Sequence, residues 1–222
     1  MVKEKMTNSE KNDEQRFMDE LEELVYSYLT KEAAVSFRQL NEFTQTLNAE
    51  SDRGAALVAA EILSEELAKL IKSKMVNHKK LIKDAFNFQG ALGSFSGRID
   101  HAFLLGLLPN VVRQDLNLLR AIRNEFAHST AAKTFETHSI KSRCMELNYY
   151  GIGEKSSPPR KIFLRSMALI YRMIVLKTSK TDHLLIPDAP KQEESEAFVK
   201  ALLEGIERTT LDPNLLFNDA DI

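Results

Sequence analysis

Arg123, Asn124 and His128 fall within residues 116–128, LNLLRAIRNEFAH, the stretch of this chain whose residue types and spacing are best suited to chemistry. With Leu119 at zero on a helical wheel, Val112, Leu116, Ile122 and Phe126 fall within about 60° of it. Arg123 falls in the same arc, at roughly 40°, where an amphipathic helix carries an apolar residue. A guanidinium keeps its proton at any ordinary pH, so Arg123 must meet a partner, solvent or a ligand. His128, at the end of the segment, has an ordinary pKa near neutrality, where a side chain can both give and take a proton. Upstream, Glu61 sits among Leu57, Val58, Ile62 and Leu63. Two readings of it stand open: a solvent-facing carboxylate, or an inward one that neutralises Arg98 or Arg123. The inward reading requires a partner, because an unpaired ion in a core is very costly.

These residues need helices to position them. The pattern predicts a polar lead-in over 1–12, a helix from Asp13 through Phe17, Leu21 and Tyr28, and a second through Val35, Leu40, Phe43 and Leu47. Ser51 suits the N-cap of the next helix, with Asp52 favourable in its first turn. That helix runs to about Met75 and carries Ala55, Ala56, Ala59 and Ala60, small residues that let a neighbour approach closely. The segment 87–97, NFQGALGSFSG, holds three of the eight glycines and reads as a shaped loop, without the spacing of a phosphate-binding loop. Ser94 or Ser96 caps the following helix, on which Arg98 and His101 lie, His101 read as a surface or hydrogen-bonded side chain. Pro109 opens the central helix, which runs to about His128. A short helix over 139–147, a loop from Asn148 to Pro159 and an apolar helix from Ile162 to Leu176 come next. Pro187 and Pro190 mark a linker, followed by an amphipathic helix from Glu193 to Arg208 and an acidic tail. The expected fold is therefore all-α: a multi-helix, bundle-like domain over 13–180 and a C-terminal helical extension over 181–222.

Composition narrows the function. The net charge of −2 gives no global attraction to nucleic acid or anionic membrane, so direct DNA binding is not expected. Lys72, Lys74, Lys79, Lys80 and Lys83 form a modest basic cluster, read as a solvated face between two helices. Tyr149 and Tyr150 read as aromatics packing onto the domain. Cys144 is the single cysteine, which excludes an intrachain disulfide. With no dense Asp/Glu/His cluster, neither a metal nor a cofactor is expected. Residues 1–20 lack an apolar signal region, and the longest apolar run, Ala102 to Leu108, is too short to span a bilayer, so a cytoplasmic location is expected.

Four segments, in order and spacing, resemble the mannitol operon repressor (MltR) family: LVAAEILSEELAKLI (57–71), LGSFSGRIDHAFLLGLL (92–108), DLNLLRAIRNEFAHS (115–129) and TFETHSIKSRC (134–144). The apolar helix after Pro159 sits where that family has its last core helix. The resemblance spans about 50–178 and implies an all-helical fold. The family name implies transcriptional repression without a recognisable DNA-binding motif, hence regulation through a protein partner.

A second resemblance overlaps the first. Arg123 to His128 has the form R-N-x-x-x-H, similar to the signature of HEPN-type helical domains, many of which are metal-independent endoribonucleases that pair two motifs across a dimer cleft. It implies catalytic roles for Arg123, Asn124 and His128, RNA as a substrate and a homodimer. RNA cleavage through its own 2′-OH needs a base, an acid and cationic stabilisation of the phosphate. His128 can serve as acid or base, Arg123 can hold the phosphate bidentately, and Asn124 can orient either. Geometry opposes a one-chain site: positions five apart on an ideal helix point about 140° apart. Arg123 and His128 converge only if the helix ends before His128 or a second chain supplies the partner. The structural alternative has Arg123 bonding Glu61 and helix-end carbonyls, and His128 stabilising the helix C-terminus.

Overall fold

The hub of the fold is a helix whose buried stripe starts with four alanines and continues as leucines. In a computed structural model that describes residues 31–129, 131–149, 157–180, 183–185, 200, 201 and 204, this is helix α2 (Asp52–Ser73), preceded by α1 (Lys31–Ala49). Five more follow: α3 (Lys79–Phe86), α4 (Phe95–Leu104), α5 (Asn110–His128), α6 (His138–Glu146) and α7 (Pro159–Ser179). The described residues up to Lys180 contain seven helices, and no described residue lies in a strand, so the fold is all-α.

The expected helix from Asp13 lies outside the described residues, as do the lead-in, the Pro187–Pro190 linker and the tail. Of the expected helix from Glu193 to Arg208, only Lys200, Ala201 and Glu204 are described, and all three are helical. The chain divides into two compact units, Met1–Leu184 and Leu185–Ile222. The seven helices belong to the first.

Helix α2 starts where Ser51 Oγ accepts from the backbone N–H of Gly54 at 3.1 Å. This leaves one fewer unsatisfied amide in its first turn. It ends at Ser73, two residues short of the expected Met75. Ala55, Ala56, Ala59 and Ala60 are buried, then Leu63, Leu67, Leu70 and Ile71. The small residues let neighbouring backbones approach, so α2 packs against α1, α4, α5 and α7. The sequence puts α5 at the centre; the structure puts α2 there, because α2 is covered on more sides. We expect Ala59→Leu to cost about 1–3 kcal/mol, read as a lowered urea midpoint, since added methylenes have no space at a close helix crossing. An unchanged midpoint would show that the crossing is not tight.

The remaining core is aromatic at one end. Phe126 on α5 meets Phe135 edge-on at 5.5 Å, and Phe135 meets Phe163 on α7 at 4.8 Å. Phe43 on α1 stacks on Tyr171 of α7 at 4.4 Å. Phe43 and Leu47 are buried as expected, whereas Val35 is exposed. One departure concerns the lysine cluster. Residues 79–86 form helix α3, which carries Lys79, Lys80 and Lys83. His78 caps it, its Nδ1 accepting from Leu81 N at 3.3 Å. Lys72 lies over the Phe86 ring with Nζ 4.5 Å from the centroid, a cation–π contact that joins α2 to α3.

No helix among the described residues is long and apolar enough to cross a membrane.

Candidate functional site

The glycine-bearing segment after α3 and the first turn of α4 form one wall of a cleft; α2 and α5 form the others. Gly90 and Gly93 make that loop tight. A Cβ on Gly93 would lie 2.1 Å from the carbonyl oxygen of Asn87, and one on Gly90 2.3 Å from those of Asp84 and Ala85. Only a residue without a side chain fits either place. The loop closes with Leu92 N donating to Ala85 O at 2.8 Å. Ser94 then caps α4 by accepting from Gly97 N at 3.0 Å, which decides between the two candidate serines.

The cleft encloses about 460 Å³. It brings together four of the residues singled out from the sequence: Glu61 from α2, Arg98 from α4, and Arg123 and Asn124 from α5. Arg120 joins them, one turn before Arg123. His128 does not line it. Helix α5 runs unbroken through His128 and ends at Ser129, so in one chain Arg123 and His128 diverge by about 140°. The early helix end that would bring them together does not occur.

Arg98 is committed to the fold. It donates from Nε to Leu92 O at 2.9 Å and from Nη1 to Ser64 Oγ at 2.9 Å and Ser64 O at 3.2 Å. Its carboxylate partner is Glu65, at 3.1 Å, one turn beyond Glu61. Neutralisation of Arg98 or Arg123 by Glu61 is therefore not found. Glu61 is exposed, with no hydrogen bond or ion pair among the described residues.

Arg123 is exposed too, and its Nη1 donates to Asn124 Oδ1 at 3.1 Å. It bonds neither Glu61 nor a helix-end carbonyl. The carbonyl of Ala127, in the last turn of α5, accepts instead from Arg53 Nη2 at 3.2 Å. Arg120 is half-buried and its Nη1 donates to Ser96 Oγ. His101 is exposed, with Nδ1 2.8 Å from Gly97 O, consistent with the hydrogen-bonded reading. Tyr149 packs against the core, and Tyr150 lies outside the described residues.

Three charged residues that sequence reasoning passed over tie the cleft helices α2 and α5 to the rest of the fold. Asp115 is fully buried on α5. Its carboxylate accepts from Tyr149 N at 2.7 Å and from Asn148 N at 3.1 Å, tying the segment after α6 to α5. Glu125, the residue after the Arg–Asn pair, accepts from Lys133 Nζ at 2.8 Å, and from Ser139 and Arg143 of α6. The hydrogen bonds from Lys133 and then Ser139, with Arg143 adding to them, hold its carboxyl down from the ordinary 4.5 to about 2, against a smaller upward push from burial. Arg160 of α7 pairs with Asp52 Oδ1 at 2.6 Å. Its Nη2 reaches the carbonyls of Leu47 at 3.2 Å and Glu50 at 2.7 Å, capping α1. Asp52 also accepts from Phe135 N at 2.8 Å, a longer-range role than the favourable first-turn charge expected of it.

Cys144 is buried, and burial pushes its thiol up to about 12, which excludes it as a thiolate nucleophile.

No protein-family model matches this chain, and no curated protein matches it. Among solved structures, a chain in the X-ray structure of the MtlR–HPr complex from Escherichia coli is similar to it, with a TM-score of 0.54 and 21% sequence identity. The match covers 61% of this chain and 97% of that one. At that identity the likeness is one of fold, and the fold is MtlR-like.

Proposed function

We propose that this chain is a helical regulator that modulates transcription by docking onto a protein partner rather than by reading DNA itself. The observation that carries this reading is the MtlR-like fold, matched over 97% of a chain whose structure was determined in a complex with HPr. HPr is accordingly the partner proposed first. The charge balance agrees: a net −2 gives no global attraction to the DNA phosphates that dominate affinity. The test against direct repression is a gel-shift assay of the purified full chain on its candidate promoters. The expected result is no sequence-selective shift; a selective, salt-dependent shift by the chain alone would overturn the proposal.

A second reading is a metal-independent endoribonuclease using Arg123, Asn124 and His128. What favours it is that Arg123 and Asn124 are bonded to each other and open into a cleft. Because His128 lies outside that cleft, this reading needs a homodimer in which a second copy supplies the histidine. RNA cleavage in EDTA by wild type, Arg123→Ala and His128→Ala decides it. Loss of activity in both variants supports the ribonuclease, and equal activity in all three ends it.

A further inference from the structure

We infer that the cleft between α2, α4 and α5 is a binding site for a small phosphate monoester, held by Arg120, Arg123 and Ser96. Of the three guanidiniums lining the cleft, Arg98 already has a carboxylate partner, Glu65, and is bonded to Ser64 and Leu92 as well. Arg120 and Arg123 have neutral partners only, Ser96 Oγ and Asn124 Oδ1, and no carboxylate within 4.0 Å among the described residues. Each guanidinium carries five N–H donors, so most of theirs are left unused by these contacts. Glu61 lines the same cleft and pairs with neither, so the site is not closed on itself as an ion-pair network.

The donor set decides the ligand class. Two guanidiniums and a serine hydroxyl offer more donors than the two oxygens of a carboxylate can use. The three terminal oxygens of a phosphate monoester accept them, with two charges facing two charges. Glu61 lines the same cleft, so a second phosphoryl group would add negative charge beside a carboxylate and gain nothing over the first. A volume of about 460 Å³ leaves room for an organic portion beside the phosphate. Phe88, 96% exposed at the cleft, offers an apolar face to that portion. This site shares Arg123 and its cleft with the ribonuclease reading, but it does not use His128 and requires no second chain, so it can fail or hold independently of that reading.

The experiment is calorimetric titration of the full chain with inorganic phosphate at constant ionic strength, with acetate and pyrophosphate as parallel arms. Phosphate is expected to bind and acetate not to. Pyrophosphate should bind no tighter than phosphate. Arg123→Gln and Arg120→Gln should each weaken phosphate about ten-fold. Glu61→Gln should tighten it about three-fold, because a like charge is removed. Arg113→Gln, which lies outside the cleft, should bind as wild type does. Arg123 is exposed, so its variant remains informative even if the Arg120 variant fails to fold. Equal affinity of wild type and Arg123→Gln, acetate binding as tight as phosphate, or no phosphate binding at all would overturn the inference.

Discussion

Replacing Asp115 with alanine is expected to destabilise the protein by about 3 kcal/mol or more, the largest single-residue effect outside the apolar core. The carboxylate is fully buried and accepts backbone N–H groups from Asn148 and Tyr149. Alanine leaves those amides facing a cavity where neither water nor protein accepts from them. Asparagine keeps the shape and one acceptor oxygen, so Asp115→Asn should lose only about 1–2 kcal/mol. Urea unfolding of the three proteins checks the order. An alanine variant as stable as wild type would show that the carboxylate does not carry the segment after α6.

The second large effect is pH-dependent. Glu125 is 16% exposed at its side chain and joins α5 to Lys133, Ser139 and Arg143. Its carboxyl titrates at about 2 when folded and near 4.5 when unfolded. A lowered folded value means the ionised form is favoured by folding. The stability is therefore fully present above pH 4.5 and is lost as the pH falls toward 2. At neutral pH it amounts to about 2–3 kcal/mol. Glu125→Gln should lie below wild type by that amount at pH 7, and the gap should narrow progressively between pH 4.5 and 2. A gap that stays constant over this range would mean that Glu125 acts through shape rather than charge.

These two carboxylates show where sequence reading succeeds and where it stops. The helical periods, the Ser51 cap, the glycine-bearing loop and the short helix before the Asn148 loop are local properties, and the structure has them. The same wheel that made Arg123 conspicuous places Asp115 at roughly 40° on the other side of Leu119, an acid on an apolar arc. That signal was present and passed over; Asp115 is the buried one. Arg123 is exposed although its angle points inward, because an angle does not say how far a neighbour extends along the axis. The first turn of α4 reaches Arg120 through Ser96, and one turn later α5 meets the cleft instead. Glu125 occupies an unspecified position of R-N-x-x-x-H, and its partners come from α6 and the segment before it, so no local pattern announces it. Arg160 joins elements more than a hundred residues apart in sequence. Pairings of that range follow from the packed fold, not from spacing.

The MtlR-like fold is held together by α2 and bolted by Asp115, Glu125 and Arg160, and the function proposed for it is regulation through a protein partner. The most direct test is calorimetric titration of the full chain with HPr from the same cell. The expected result is a one-to-one complex with a dissociation constant on the order of 10 μM or tighter. No binding with HPr at concentrations up to about 1 mM would contradict it.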